Sequence, residues 1–247
     1  MSFLLVLACT VVLTVLLKDA LRKHPTVFYA GAIVLTVLYI GNLYVAYPGV
    51  VRSVLFLLMQ KCTLSLALFV VVMYIGVFRK DSKVGLVLRP IRAELSILAC
   101  ILCLGHVCVY LMAFAPRFFG GDGWLSAFLL TAVALLILLL VLGVTSFSRV
   151  KRRMGTAFWV KLQKWAYVFF GLIYAHLVII LLPSALAQGT TAVTSVVIYT
   201  GLFGLYAILR ARRAIVDSKV SSVHRFSRRS FSNELPHGEQ PKGMTGV

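Results

Sequence analysis

Charge is scarce in this 247-residue chain: 13% of its residues are charged and only seven are Asp or Glu. A water-soluble domain is usually about half apolar and about a quarter charged. Here 61% of residues are hydrophobic and mean hydropathy is +0.98, so lipid is the expected solvent for most of the chain. Asp19, Asp81, Glu94, Asp122, Asp217, Glu234 and Glu239 fall at the ends of apolar runs, in connections or in the tail, which weighs against an ion pathway built on intramembrane carboxylates. A disulfide framework is missing too. Cys9, Cys62, Cys100, Cys103 and Cys108 all lie in apolar runs, where a thiol packs as a small hydrophobe. Cys100 and Cys103 form a CxxC, but no second pair completes a metal site and lipid disfavours a thiolate. The N-terminal run has no basic leader, and its charges follow it, so it reads as a retained first helix rather than a signal peptide.

What the chain does have is long apolar stretches, at about residues 2–17, 26–47, 53–78, 93–115, 124–147, 158–182 and 191–209. Most reach the roughly 20 residues that a membrane span needs. The expected fold is an all-α polytopic membrane bundle of seven helices, or six if the short first run lies in the interface. Gln60 and Lys61 interrupt the third run, so its early part is expected to be tilted, interfacial or packed on protein. Too little sequence remains for a separate soluble catalytic domain.

The formal net charge of +18 would suit nucleic acid if it covered a soluble face. Instead, 22 of the 25 Lys and Arg fall in four clusters: Lys18 to Lys23, Arg79 to Arg92, Arg149 to Lys164, and Arg210 onward. The connections Tyr47 to Arg52, Pro116 to Gly123 and Pro183 to Thr191 are nearly bare of positive charge. Basic connections face the cytoplasm, which predicts an outer N-terminus, an inner C-terminus, membrane lipid as partner, and no nucleic acid. Residues 214–247 read as a disordered basic cytoplasmic tail. His24, His224 and His237 lie in basic or tail sequence and are given no role.

An ionisable side chain inside a membrane is a functional candidate by default, and His106 and His176 are the two that qualify. His106 lies 14 residues beyond Arg92, about 21 Å up its helix. His176 lies seven residues before Pro183, about 10 Å below the outer end, and so also about 20 Å from the inner side of a core about 30 Å thick. Two level imidazoles on parallel helices suit a bis-histidine haem. The competing reading gives each histidine a Ser, Thr or carbonyl partner in a packed bundle. Small residues beside the pair, Gly105 with His106, and Gly171 and Ala175 before His176, would let a flat macrocycle approach. Arg117, beside Phe118, Phe119 and Trp124, is the candidate partner for a haem propionate, or else a residue reaching the headgroups.

Two segments carry a family resemblance. Arg89-Pro90-Ile91-Arg92-Ala93-Glu94-Leu95 leads to Gly105-His106 and Tyr110-Leu111. Gly143-Val144-Thr145-Ser146 is followed by Arg152-Arg153-Met154-Gly155, Trp159, Leu162-Gln163-Lys164, Tyr167 and His176. Residues 50 to 183 thereby resemble the ferric-reductase-like transmembrane domain, the haem-bearing core shared by NADPH oxidases, ferric reductases and the haem-binding subunit of the bacterial methionine sulfoxide reductase system, MsrQ. The resemblance implies His106 and His176 as axial ligands of haem iron. Two-haem members carry a second histidine 13 or 14 residues earlier on each helix; here those positions are Arg92 and Gln163, which implies a single haem b near the outer leaflet.

The larger relatives add a flavin and nicotinamide domain, for which the tail here is too short and too polar. A quinol within the membrane, or a partner protein, is therefore the expected donor. On this reading residues 1–48 form two N-terminal helices, 49–183 the haem-binding core, and 184–213 the last span. The chain is expected to be an oxidoreductase electron-transfer subunit, a cytochrome b passing electrons to an extracytoplasmic reductase or to ferric iron. A proton-coupled small transporter and a non-catalytic membrane subunit that kept the fold are the alternatives.

Overall fold

Lipid offers the backbone no hydrogen bonds, so an apolar chain must satisfy its own, and the helix does this within one segment. The structure, a computed structural model, describes residues 2–79, 81–114 and 123–234, with side chains described at neither 123–126 nor 218–234. Among the described residues all regular structure is helical. In chain order the helices are α1 (Ser2–Leu16), α2 (Lys18–Lys23), α3 (Pro25–Gly41), α4 (Gly49–Leu55), α5 (Thr63–Ile75), α6 (Lys83–Leu88), α7 (Arg92–Phe114), α8 (Gly123–Ser146), α9 (Ser148–Arg153), α10 (Thr156–Gln163), α11 (Trp165–Leu186) and α12 (Thr190–Glu234). A π-helical turn, Phe56–Gln60, follows α4, and a 3₁₀ turn, Arg89–Ile91, precedes α7.

Four stretches are long and apolar enough to cross a membrane: Lys83–Phe114, Ala127–Ser146, Thr156–Leu186 and Thr190–Asp217. A fifth arises if Gly49–Gln60 and Thr63–Ile75, bent by 41° at their junction, count as one broken span. The interruption expected at Gln60 and Lys61 is thus a real break. Its pivot is Cys62, at φ 54°, a left-handed conformation that costs a non-glycine residue about 1–2 kcal/mol. α1 and α3, at 15 and 17 residues, are apolar but shorter.

The chain divides into two units, Met1–Tyr206 and Ala207–Val247. In the first, α5 is the most deeply buried element, with Leu66 to Met73 and Ile75 all enclosed. It packs on α7 and α1, while α3 also packs on α7 and α8 packs on both α7 and α11. Polar ties cross between these apolar faces. Ser65 Oγ donates to the Ala99 carbonyl at 2.7 Å, and Tyr74 Oη to the Leu202 carbonyl at 2.8 Å. Such bonds within a membrane bundle contribute about 0.6 kcal/mol each. In the second unit, residues 214–234, for which the sequence predicts disorder, continue the helical hydrogen bonding of α12, since extending a formed helix needs no new nucleus.

One helix end and one glycine differ from the expectations. Pro183 does not end its helix: α11 continues to Leu186. The end comes where Gln188 turns left-handed at φ 59°, with Gly189 N–H on the Ser184 carbonyl and Gln188 N–H on the Ala185 carbonyl, the paired bonds that close a helix C-terminus. Gly105 does not face open space. A Cβ there would lie 3.0 Å from Thr36 Cγ2 and 3.1 Å from Met59 Cε, so its smallness admits α3 and the π-helical turn rather than a macrocycle. At Gly171 a Cβ would meet nothing within 4 Å.

The two glycines should therefore respond in opposite ways. Gly105→Leu forces α3 away and should cost about 1–3 kcal/mol, lowering the thermal unfolding midpoint in detergent by several degrees. Gly171→Leu should leave the midpoint unchanged or raise it, because a helical glycine gives up about 1 kcal/mol of propensity. Equal midpoints would remove the close approach of α3 at Gly105.

Candidate functional site

The break between α4 and α5 lies where one histidine finds its partner. In a continuous α-helix every mid-helix carbonyl accepts from an N–H four residues on. The π-helical turn and the left-handed Cys62 interrupt that ladder, and the Gln60 carbonyl accepts instead from His106 Nδ1 at 3.0 Å. A carbonyl oxygen can only accept, so Nδ1 of His106 carries the proton.

The second histidine is held by α8. Thr131 Oγ1 lies 2.8 Å from the Phe128 carbonyl and 3.1 Å from the Ala127 carbonyl. Directing its single proton to these backbone acceptors leaves the hydroxyl oxygen to accept from His176 Nδ1, 3.1 Å away, and on this assignment His176 too is protonated on Nδ1. In both rings Nε2 is left with its lone pair, and no further hydrogen bond reaches either ring among the described residues.

Aromatic rings connect the two imidazoles. The Tyr110 ring, one helical turn beyond His106, has its centroid 4.4 Å from the imidazole, and Tyr110 stacks on Phe114 at 6.0 Å. Phe114 meets Phe128 of α8 at 5.5 Å, and Phe128 stacks on His176 at 5.0 Å with 23° between planes. His106 lies within electrostatic reach of His176. The sequence-predicted pair is therefore brought into one neighbourhood, with α8 packed on both histidine helices.

The helix bounds give each histidine a position along its own helix. His106 stands 14 residues into α7 and His176 stands 11 into α11, about 21 and 17 Å along their axes. Arg117, with Phe118 and Phe119, lies outside the described residues, and the Trp124 side chain lies there too.

In donor chemistry the pair suits a haem. Ligating histidines generally donate their other ring N–H to a carbonyl or similar acceptor, which fixes the tautomer and aims the free nitrogen. Both rings satisfy that condition. No group of three or more His, Cys, Asp or Glu capable of holding a bare metal ion occurs among the described residues.

Arg92 and Gln163, the positions without inner histidines, are also brought together. Both line one cavity at the basic end of the bundle. There Gln163 Nε2 donates to Thr145 Oγ1 at 3.3 Å and Trp159 Nε1 to the Thr145 carbonyl at 3.1 Å.

Residues that sequence reasoning missed are the Gln60 carbonyl, Thr131 and Phe128. Thr131 carried a signal, as a lone hydroxyl midway along the apolar run of α8. Tyr110 could be placed beside His106 from its i+4 spacing alone.

The chain is 37% identical to an uncharacterized protein of Treponema pallidum (strain Nichols) over 228 residues, covering 89% of this chain. It spans 62% of that relative's length. No family model matches the chain, and no solved structure matches it.

The assigned tautomers can be tested without any ligand. In haem-free protein labelled with ¹⁵N-histidine, both His106 and His176 should show the neutral ring protonated on Nδ1. Thr131→Val removes the acceptor while keeping the shape, and should release His176 alone into a mixture of tautomers. An unchanged His176 spectrum in that variant would mean that Thr131 does not set its state.

Proposed function

We propose that this chain is a membrane b-type cytochrome, an electron-transfer component in which Nε2 of His106 and Nε2 of His176 ligate one haem b. The observation that carries the reading is the matched state of the two rings. Each is anchored through Nδ1, by the Gln60 carbonyl and by Thr131 Oγ1, and each keeps a lone pair on Nε2. Two protein ligands suit haem iron because the porphyrin supplies the remaining four. A bound haem would supply one-electron carriage at the depth of the imidazoles.

The protein's own contribution is orientation and dryness. The Gln60 carbonyl and Thr131 make each Nε2 a better donor by accepting from the opposite nitrogen. Tyr110 and Phe128 cover the imidazoles and hold water away from them. No inner pair accompanies these histidines, since Arg92 and Gln163 occupy the corresponding positions, so the reading is of a single haem.

The finer topology in this reading is seven crossing segments: the four long stretches, the bent pair, and the shorter α1 and α3. A 15- or 17-residue helix spans about 22 to 26 Å, and local thinning of the bilayer accommodates the shortfall. The basic clusters place the C-terminus in the cytoplasm and the N-terminus outside, which puts the histidines nearer the outer leaflet. A quinol in the membrane or a partner protein is the donor. An extracytoplasmic reductase or ferric iron is the acceptor.

Protein purified after expression with ample haem should show the absorption spectrum of a low-spin b-type cytochrome, with one haem per chain. Either His106→Ala or His176→Ala should abolish it, and Thr131→Val should retain it with haem affinity reduced about 10- to 100-fold. A colourless wild-type preparation, or a low-spin spectrum that survives in both alanine variants, would sink the assignment.

A further inference from the structure

The CxxC of α7 is not the thiol pair that the fold assembles. Cys100 turns toward α8, where its Sγ lies 3.9 Å from the Leu139 carbonyl and sits against Gly143, at which a Cβ would lie 2.9 Å from that sulfur. Cys103, nearly one helical turn on, meets Cys62 instead. Their Sγ atoms are 3.7 Å apart and share a thiol hydrogen bond, although the two residues stand 41 positions apart in sequence. Neither is fully buried.

Cys62 stands at the break between the π-helical turn and α5, in the left-handed conformation that glycine adopts freely and other residues adopt at a cost. A strained position therefore carries a cysteine whose sulfur reaches the neighbouring helix. Two interhelical hydrogen bonds bracket the contact. Three residues after Cys62, Ser65 Oγ donates to the carbonyl of Ala99, four residues before Cys103. Two residues before Cys62, the Gln60 carbonyl accepts from His106, three residues after Cys103. The break is thus held against α7 on both sides of the thiols. A disulfide bond is about 2.0 Å long, so the sulfurs need to close by about 1.7 Å from their 3.7 Å separation. Rotation of the two side chains and a small change at the 41° bend supply a movement of that size.

We propose that Cys62 and Cys103 form a reversible dithiol–disulfide site that exchanges two electrons with a lipid-soluble quinone. Two S–H bonds break and one S–S bond forms. The two electrons and two protons pass to the quinone, which is reduced to the quinol; the reverse step restores both thiols. The class of oxidant follows from the surroundings. Met59, Leu66 and Leu102, close to the pair in sequence, are buried apolar residues, α7 lies within a stretch apolar enough to span a membrane, and α5 belongs to the bent pair. An oxidant that reaches the sulfurs there must dissolve in hydrocarbon, which a charged peptide disulfide does not. The hydrogen bond between the thiols supports whichever sulfur gives up its proton first, the step that lipid otherwise disfavours.

The test uses the full-length chain, prepared without haem, reconstituted in phosphatidylcholine vesicles and fully reduced with a phosphine. It is then exposed to decylubiquinone, whose ring is fully substituted, or to oxidised glutathione at the same concentration. Remaining thiols are alkylated under denaturing conditions and the linkage is mapped by peptide mass spectrometry. Decylubiquinone should join the Cys62 peptide to the Cys103 peptide, with one quinol formed per disulfide, at least roughly tenfold faster than glutathione does. Renewed reduction should restore both thiols. Cys62→Ser and Cys103→Ser should each abolish the link, and Cys100→Ser should retain it. Free thiols at both positions after quinone treatment, a Cys100–Cys103 disulfide in place of the expected one, or equal rates with the two oxidants would overturn the site. The map of the wild-type chain decides by itself, so a variant that misfolds does not shelter the proposal. Haem takes no part in the measurement, and its failure leaves the histidine reading untouched.

Discussion

Hydrocarbon supplies no hydrogen bonds, and most of the polar arrangement of this chain follows from that constraint. Thr10 and Thr14 return their hydroxyl protons to the carbonyls of Val6 and Thr10 on their own helix. Ser65 and Tyr74 reach carbonyls on neighbouring helices. An imidazole is harder to satisfy, because it presents a donor and an acceptor at opposite edges of a rigid ring. The carbonyl that His106 takes is Gln60's, at the π-helical turn beside the left-handed Cys62. The break in the helix and the placement of His106 are thus two parts of one device.

His176 reaches the same protonation state by another route. No break lies beside it on α8; instead Thr131 spends its proton on the helix backbone and keeps a lone pair for Nδ1. Two unlike anchors therefore give two like rings, each with the nitrogen away from the anchor unoccupied. Packing alone does not demand that agreement. A histidine that served only to fill the bundle could use either nitrogen.

The sequence made the apolar elements legible because span length and absence of charge are local properties. The interruption at Gln60 and Lys61 followed from the composition of one apolar run. Partners from other helices did not. Nothing in the periodicity of α8, apolar all round, says which face carries Thr131 and Phe128 to His176. Gly105 was misread for the same reason: its small size signalled a close neighbour, but not that the neighbour is Thr36. Pro183 misled in another way, since a proline near a helix end need not be its last residue when the helix closes further on at Gln188.

Arg92 and Gln163 show how far counting along a helix can reach. Each was singled out from a histidine 14 or 13 residues later, and the fold places both on one cavity. The distance back to the imidazoles is about 20 Å along either helical stretch. The two ends of those helices differ in kind. At the histidine end both Nδ1 protons are matched to acceptors inside the chain. At the basic end, Arg89 Nε and Glu94 Oε2 are buried with no partner. A fold that satisfies its hydroxyls and imidazoles internally, yet leaves charged groups unmet at one end, has put its unfinished hydrogen bonding where charge is concentrated.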